Sequence, residues 1–304
     1  MLTKFIVILG DNQIKYKPFI KRVWWKRQLL EQFQSLYPCG SFSDHFKIKK
    51  YYEPFLWWGA VFFDLRNKFW LNFKAYLYDI NSELINTYNV IKSNPKKLIK
   101  QLKSYKYDKE FFMEIRSWDQ DPDFLKKRSS IERASRFIYL NRTCFNGMYR
   151  VNSAWFFNVP FWKYTNPKIC DEEWILNSSE ALQNTEIECK SFYEIEKIVE
   201  KWDFVYFDPP YDTLTTTANF TDYIKWWFWW DDQVRLKKTF DIVDKKGWYW
   251  MLSNHNTDRI RELYKDYNQK IVSATRMINS NAKKRWAIEE IVVLNYELKN
   301  DKMR

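Results

Sequence analysis

The four residues Asp208-Pro209-Pro210-Tyr211, directly behind the apolar run Phe204-Val205-Tyr206-Phe207, constrain this chain more than any other feature. A short run of β-formers closed by turn residues reads as a buried strand, and open α/β sheets place their chemistry at the carboxyl ends of such strands. Asp208 is therefore expected at an active site. Two successive prolines fix their own φ angles and give up two N–H donors, which leaves the Asp208 carboxylate and the nearby carbonyls rigid and accepting. That is a cradle for an amino group. Tyr211 adds a flat face on which a base can stack once a nucleotide has left its helix. Taken alone, the tetrapeptide also fits a chance turn after a strand.

Upstream, Tyr51-Tyr52-Glu53-Pro54-Phe55-Leu56-Trp57-Trp58-Gly59-Ala60-Val61-Phe62-Phe63 reads as strand, tight turn and helix start, with an acid at the strand end. Asp79 follows Gly59 by 20 residues, close to the ~20-residue offset at which nucleotide-binding α/β folds place a ribose-binding acid. The tetrapeptide resembles the signature of amino-methyltransferases that act on adenine N6. The upstream segment resembles the cofactor motif of Dam-type DNA adenine-N6 methyltransferases: an acid, Pro-Phe, a glycine-rich turn, a small residue and a hydrophobic helix. Lys21-Arg22-Val23-Trp24-Trp25-Lys26 is similar to that family's N-terminal motif, in which Gly-Gly-Lys opens a helix. The resemblance runs from about residue 17 to 297. It implies S-adenosyl-L-methionine as cofactor, held by Trp24, Trp25, Lys26, Glu53, Phe55, Trp57, Gly59, Asp79 and Asp208.

This chain departs from the family at the glycines. Trp57 and Trp58 stand where the turn needs glycine for close backbone approach and positive φ. Trp24 and Trp25 replace Gly-Gly, Arg22 replaces an aromatic, Trp162 falls at a family glycine, and Trp155 and Trp286 fall where glycine is common. Ordinary usage of ~7% corresponds to about 21 glycines in this length, whereas the chain has 5 glycines and 17 tryptophans, together 22. The hypothesis that follows is that many of these tryptophans stand for UGA codons that mean glycine in the source organism. The competing reading is a genuinely tryptophan-rich protein whose indoles fill the methionine end of the pocket.

Composition bounds the rest. The chain is 304 residues long, enough for one large domain or a core with an inserted module. Its net charge of +12 suits a polyanionic partner with salt-sensitive affinity, although lysine-rich surfaces alone say little. Cys39, Cys144, Cys170 and Cys189 show no CxxC spacing, and with only His45 and His255 no zinc set is expected. A reduced cytoplasmic protein is the simplest account. The run Phe5–Leu9 is too short for a signal peptide, no stretch approaches ~18 apolar residues, and no membrane partner is expected. Trp226-Trp227-Phe228-Trp229-Trp230 reads as a patch if the indoles are real and as a loop behind the Asp208 turn if they stand for glycine; the loop is favoured.

Strand-like runs at 48–52, 73–78, 204–207, 248–252, 270–278 and 290–297 alternate with helical ones at 26–36, 60–66, 231–245 and 256–266, as βα units require. Residues 82–143 read helical throughout, with Leu84, Ile85, Tyr88 and Ile91 on one face and a capping box at Ser129 and Glu132. The expected fold is α/β: a Rossmann-like S-adenosylmethionine-dependent methyltransferase sheet with an inserted helical target-recognition domain. Residues 1–82 and 166–304 are assigned to the catalytic domain and 83–165 to the insert, which in the resembling family reads DNA.

The insert ends in Asn141–Asn152, whose Asn and Arg side chains are of the kind that make bidentate contacts with base edges, and whose aromatics can wedge between base steps. On its own this stretch also fits a helix-terminating Asn-Gly turn. By the resemblance Arg150 reads guanine, Asn146 touches base or backbone, Phe145 is a wedge, and Met148 and Pro160 make further base contacts. Leu252–Asn256 and Thr275–Asn281 resemble family segments too, with Arg276, Asn279 and Asn281 as phosphate contacts.

Asp208, Pro209, Pro210 and Tyr211 are the expected catalytic set, with no metal. A cytosine-C5 enzyme would need a Pro-Cys nucleophile, and Pro38-Cys39 precedes the cofactor motif, on the wrong side for that class. The expected activity is methyl transfer to adenine N6 in double-stranded DNA, at GATC by resemblance alone, in a restriction–modification or a repair setting. The alternatives are an RNA or free-nucleotide methyltransferase and a catalytically dead DNA-binding homologue. Oligomeric state is not legible.

Overall fold

The central strands of this chain place successive side chains into two different cores. The computed structural model describes residues 15–21, 25–38, 48–69, 73–212, 228–275 and 287–298. Seven strands form one sheet: β1 (Lys50–Glu53), β2 (Lys74–Asp79), β3 (Thr185–Cys189), β4 (Phe204–Phe207), β5 (Tyr249–His255), β6 (Asn268–Thr275) and β7 (Ala287–Leu294). Tyr51, Leu77, Phe204, Tyr206, Met251 and Val292 face one core. Their neighbours Tyr52, Tyr78, Val205, Phe207, Leu252 and Ile291 face the other. This two-residue period with both faces covered is why the strands read as nearly continuous apolar runs.

Helices α1 (Trp25–Phe33), α2 (Ala60–Phe69) and α3 (Ser82–Ser93) cover the first face. The second is covered by the 3₁₀ turn Phe192–Lys197 together with two helices that follow later in the chain, Trp230–Asp244 and Asp258–Leu263. Phe207 meets Phe240 edge-on at 4.4 Å, and Phe240 in turn stacks on Trp250 at 4.5 Å.

The strand order is β3-β2-β1-β4-β5-β7-β6. All neighbouring pairs from β3 through β5 are parallel, and β7 runs antiparallel between β5 and β6. The chain winds outward from β1 to β3 and then crosses back to lay β4 beside β1, pairing Tyr51 with Phe204 and Tyr52 with Val205. That reversal opens a crevice beyond the carboxyl ends of β1 and β4, where open α/β sheets bind ligands. The expected Rossmann-like α/β sheet is the observed fold.

Between β2 and β3 lie α3, α4 (Pro95–Lys103), α5 (Lys109–Ser117), α6 (Phe124–Lys127), α7 (Ser130–Thr143) and α8 (Glu172–Ala181). Asn94 interrupts the helical block before Pro95, and Asp108 caps α5 by accepting the Phe111 N–H at 2.7 Å. The Ser129–Glu132 capping box forms as the sequence predicts. Leu84, Ile85, Tyr88 and Ile91 of α3, and Leu98 and Leu102 of α4, belong to the core under the sheet. A separate cluster of Phe112, Ile115, Tyr139, Leu140, Cys144, Phe157 and Val159 supports the outer part of the block.

Strand β3 was absent from the sequence expectation. Its burial alternates, with Thr185 and Ile187 inward and Glu186 outward. Two glutamates in five residues masked a period-2 signal that the alternation itself carries. Elsewhere element ends shift by a few residues. Positions 276–278, at the end of the expected run 270–278, lie outside the described residues. No helix among the described residues is long and apolar enough to cross a membrane.

Candidate active site

The strand-end acids come together at the crevice. After β1 the chain turns through Pro54–Gly59 into α2, with Gly59 at φ 61°. A Cβ at Gly59 would crowd the Tyr88 hydroxyl at 3.0 Å, and the positive φ favours glycine there. Glu53, 2% exposed, accepts from the Tyr51 hydroxyl at 2.8 Å and from the Phe62 N–H at 3.2 Å, bracing the start of α2. Asp79, at the end of β2, accepts from the backbone N–H groups of Trp57 at 3.0 Å and Asn81 at 2.9 Å. Burial pushes its carboxyl up to about 6 in spite of those donors.

A cleft of about 600 Å³ opens beside these groups. Asp79, Asn81, Phe55, Phe192 and Pro210 line it. Phe55 stacks on Phe192 at 5.4 Å and meets Phe228 edge-on at 5.6 Å, forming an apolar slot. Met148 and Arg150 line the same cleft.

The 208–212 turn is fastened by distant residues. Ser253, wholly buried on β5, donates to Asp208 Oδ1 at 3.1 Å and lies 2.8 Å from the Tyr206 hydroxyl. The Tyr211 hydroxyl lies 2.9 Å from Ser253 Oγ and donates to buried Glu290 at 2.8 Å. Gln233 holds the Pro210 carbonyl at 2.8 Å, and Asn254 accepts the Asp212 N–H at 2.9 Å. Tyr211 thus turns its hydroxyl inward, with its ring edge-on to His255 at 5.0 Å. Sequence reasoning gave no role to Ser253, Asn254, Gln233 or Glu290. The signal available was a Ser-Asn pair at the end of a buried strand, where site residues collect.

The predicted DNA-reading residues form one arm. Phe145, Asn146 and Gly147 make a 3₁₀ turn with Asn146 at φ 54°. Short antiparallel bridges pair Cys144 with Phe161 and Val151 with Phe157. Phe145 meets Trp162 edge-on at 4.6 Å, the exposed Pro160 accepts the Phe145 N–H at 3.0 Å, and Arg150 donates to Asn158 at 2.8 Å. Trp24, Arg276, Asn279 and Asn281 lie outside the described residues, and so do the side chains of Trp25 and Lys26 at the start of α1.

The acidic end and the apolar slot fit a nucleoside-bearing cofactor. The turn does not. The Trp57 indole projects to the catalytic loop and donates to the Asp208 carbonyl at 2.7 Å, bridging the crevice.

The protein-family model described as D12 class N6 adenine-specific DNA methyltransferase matches residues 25–278. The chain belongs to this family. Its members are adenine-specific DNA methyltransferases. The chain is 43% identical over 293 residues to a type II methyltransferase of Lactococcus lactis subsp. cremoris, M1.LlaDCHI, covering 95% of this chain and 99% of that protein. It is 40% identical to the type II methyltransferase M.MjaIII of Methanocaldococcus jannaschii, over 93% and 100% of the two chains. The DNA adenine methylase of Escherichia coli is 30% identical over 92% and 95%. The DNA methyltransferase fold here is a mixed α/β sheet, seven-stranded among the described residues.

Proposed function

We propose that the chain transfers a methyl group from S-adenosyl-L-methionine to adenine N6 in double-stranded DNA at GATC, with Asp208 and the Pro209 carbonyl as the groups that receive the amino nitrogen. The observation that carries this reading is the position of Asp208. It stands at the end of β4 beside the β1–β4 reversal, its carboxylate anchored by buried Ser253. When bound, the cofactor supplies a sulfonium methyl with a strong leaving group. Asp208 and the Pro209 carbonyl accept hydrogen bonds from the amino group. They favour a pyramidal nitrogen and stabilise the positive charge that grows on it. Because the turn is fastened before substrate arrives, little reorganisation is needed in the transition state.

Asp79, Glu53, Phe55, Gly59 and Lys26 are the proposed cofactor residues. Asp79 faces the cleft, whereas Glu53 acts on the cofactor through the α2 start that it braces. The base must leave the duplex to reach Asp208, and Tyr211 and the Pro210 ring are proposed to receive it. Residues 83–165 are proposed as the target-recognition unit, with Phe145, Asn146, Met148, Arg150 and Pro160 at the DNA. The shared cleft supports this, since Met148 and Arg150 line it together with Asp79. A cytoplasmic site of action and a restriction–modification role accompany the reading, the latter because M1.LlaDCHI and M.MjaIII are named type II methyltransferases.

A second reading, a DNA-binding chain that transfers nothing, is favoured by one observation: the Trp57 indole closes on the Asp208 carbonyl. Tritiated methyl transfer to duplexes that differ at one base pair separates the two. The reading expects N6-methyladenine at GATC, abolished by Asp208→Ala, when positions 57 and 58 carry glycine. Labelling of single-stranded RNA but not duplex DNA would overturn it.

A further inference from the structure

Three tryptophans sit where the backbone admits glycine. Among the described residues, six non-glycine positions have positive φ: Asn146, Asn166, Asn184, Trp57 (43°), Trp155 (69°) and Trp202 (77°). Asparagine tolerates the left-handed region because its short side chain bonds locally, whereas a bulky side chain there crowds the following carbonyl. The three tryptophans share no environment. Trp155 lies at the tip of the 151–157 arm, where its N–H donates to Asn152 O at 2.9 Å and its side chain is 59% exposed. Trp202 lies in the turn that leads into β4, and its carbonyl accepts the Lys49 N–H at 3.2 Å. Trp57 lies in the crevice, with its N–H held by Asp79 and its indole on the Asp208 carbonyl. In each case a hydrogen bond to the main chain fixes the left-handed turn; Trp57 and Trp155 are exposed, and the half-buried Trp202 ring makes a tilted contact with Tyr249 at 6.1 Å.

We infer that positions 57, 155 and 202 are glycine positions of this fold, that the active protein carries glycine there, and that glycine at 57 is what opens the crevice to the cofactor. The count agrees, since 5 glycines and 17 tryptophans together make an ordinary glycine complement. The part that concerns position 57 rests on the proposed S-adenosyl-L-methionine reading. The parts that concern 155 and 202 do not, because neither residue lines the cleft.

The decisive comparison sets glycine against alanine. At ordinary φ, alanine stabilises over glycine by restricting the unfolded chain, and at positive φ the order reverses. Thermal unfolding of the full chain is measured for Trp57, Trp155 and Trp202 each changed to Gly and to Ala. Trp118, at φ −57°, serves as the ordinary-φ control. The expected result is a higher Tm for Gly than for Ala by about 2–4 °C at each of the three sites, with the opposite order at 118. Alanine above glycine at 155 and 202 overturns the inference, as do UGG triplets at these codons in the gene. Calorimetric titration with S-adenosyl-L-methionine then compares the chain with Trp57→Gly. Binding at least about 100-fold tighter in the variant supports the gating role, and equal binding overturns it. Should neither chain bind while glycine still wins at all three positions, the glycine assignment stands and the cofactor reading is what fails.

Discussion

Ser253→Ala tests whether the catalytic carboxylate is positioned from a distance. Ser253 is wholly buried and donates to Asp208 Oδ1 at 3.1 Å while lying within hydrogen-bond reach of both Tyr206 and Tyr211. A hydrogen bond to a charged group contributes about 1.5–3 kcal/mol, so folding stability should fall by that order. If the same tether holds Asp208 against the amino nitrogen in the transition state, its loss costs kcat roughly 10–100-fold, at about 1.4 kcal/mol per factor of ten. KM for the duplex should stay within about threefold, because Ser253 touches no DNA in this scheme. Single-turnover methylation with enzyme in excess gives the rate in the chain that carries glycine at positions 57 and 58, and urea melts give the stability in that chain and in the tryptophan chain. Ser253→Thr separates the two effects. It keeps the hydroxyl and adds a methyl to a filled site, so kcat should recover while stability does not. A Ser253→Ala enzyme with unchanged kcat and lowered stability would show that Asp208 needs no such tether, and the positioning argument would fail.

Asp79 should make stability and ligand affinity depend on pH in opposite directions. Its carboxyl titrates at about 6 against 3.8 in a model side chain, so the folded state holds the proton more tightly. The associated stability, of order 3 kcal/mol, is present below pH 4, is lost as pH rises through 6, and is flat above that. Asp79→Asn should remove this slope in urea melts at pH 4.5, 6 and 7.5. Affinity for S-adenosyl-L-methionine should instead rise through pH 6 as the carboxylate becomes a full acceptor, and calorimetry at pH 5.5 and 7.5 on the Trp57→Gly chain checks it. Arg150→Ala should cost about 1–3 kcal/mol of discrimination at one base pair of the site while leaving the methylation rate on the best duplex nearly intact at saturation. Competition between duplexes that differ at that base pair measures this. Phe240→Ala, which removes the ring between Phe207 and Trp250, should destabilise by about 3–5 kcal/mol in a urea melt.

The parts of this molecule legible in its sequence are those fixed by local pattern. Phe204–Phe207 is a strand because four apolar residues end at Asp208-Pro209-Pro210, and the structure begins and ends it at those residues. Asp79 was legible because strand-end acids at this offset recur in the fold class. The contacts that hold Asp208 were not, because they are made across the chain. Ser253 is 45 residues away, and the Tyr211–Glu290 pair spans 79. Nothing local marks Glu290, at the start of the strand-like run 290–297, as a buried anchor. Only the antiparallel insertion of β7 beside β5 buries it, to 2% exposure, under the Tyr211 hydroxyl. The resemblance singles out Arg150, but its bond to Asn158 depends on the arm folding back through the Val151–Phe157 bridge.

A general consequence follows for where the catalytic turn draws its rigidity. Two prolines remove donors and fix two φ angles, but they do not by themselves aim a carboxylate, since χ1 of Asp208 stays free. The aim comes from Ser253 on β5, the Pro210 carbonyl is held by Gln233 on the helix after the turn, and the Asp212 N–H is held by Asn254. All three anchors lie on elements that follow the tetrapeptide in sequence, so the turn is completed only when β5 has paired with β4. Substitutions in β5 should therefore damage methyl transfer more than their effect on stability predicts, whereas substitutions in β2 or β3 at equal burial should lower stability and activity in proportion.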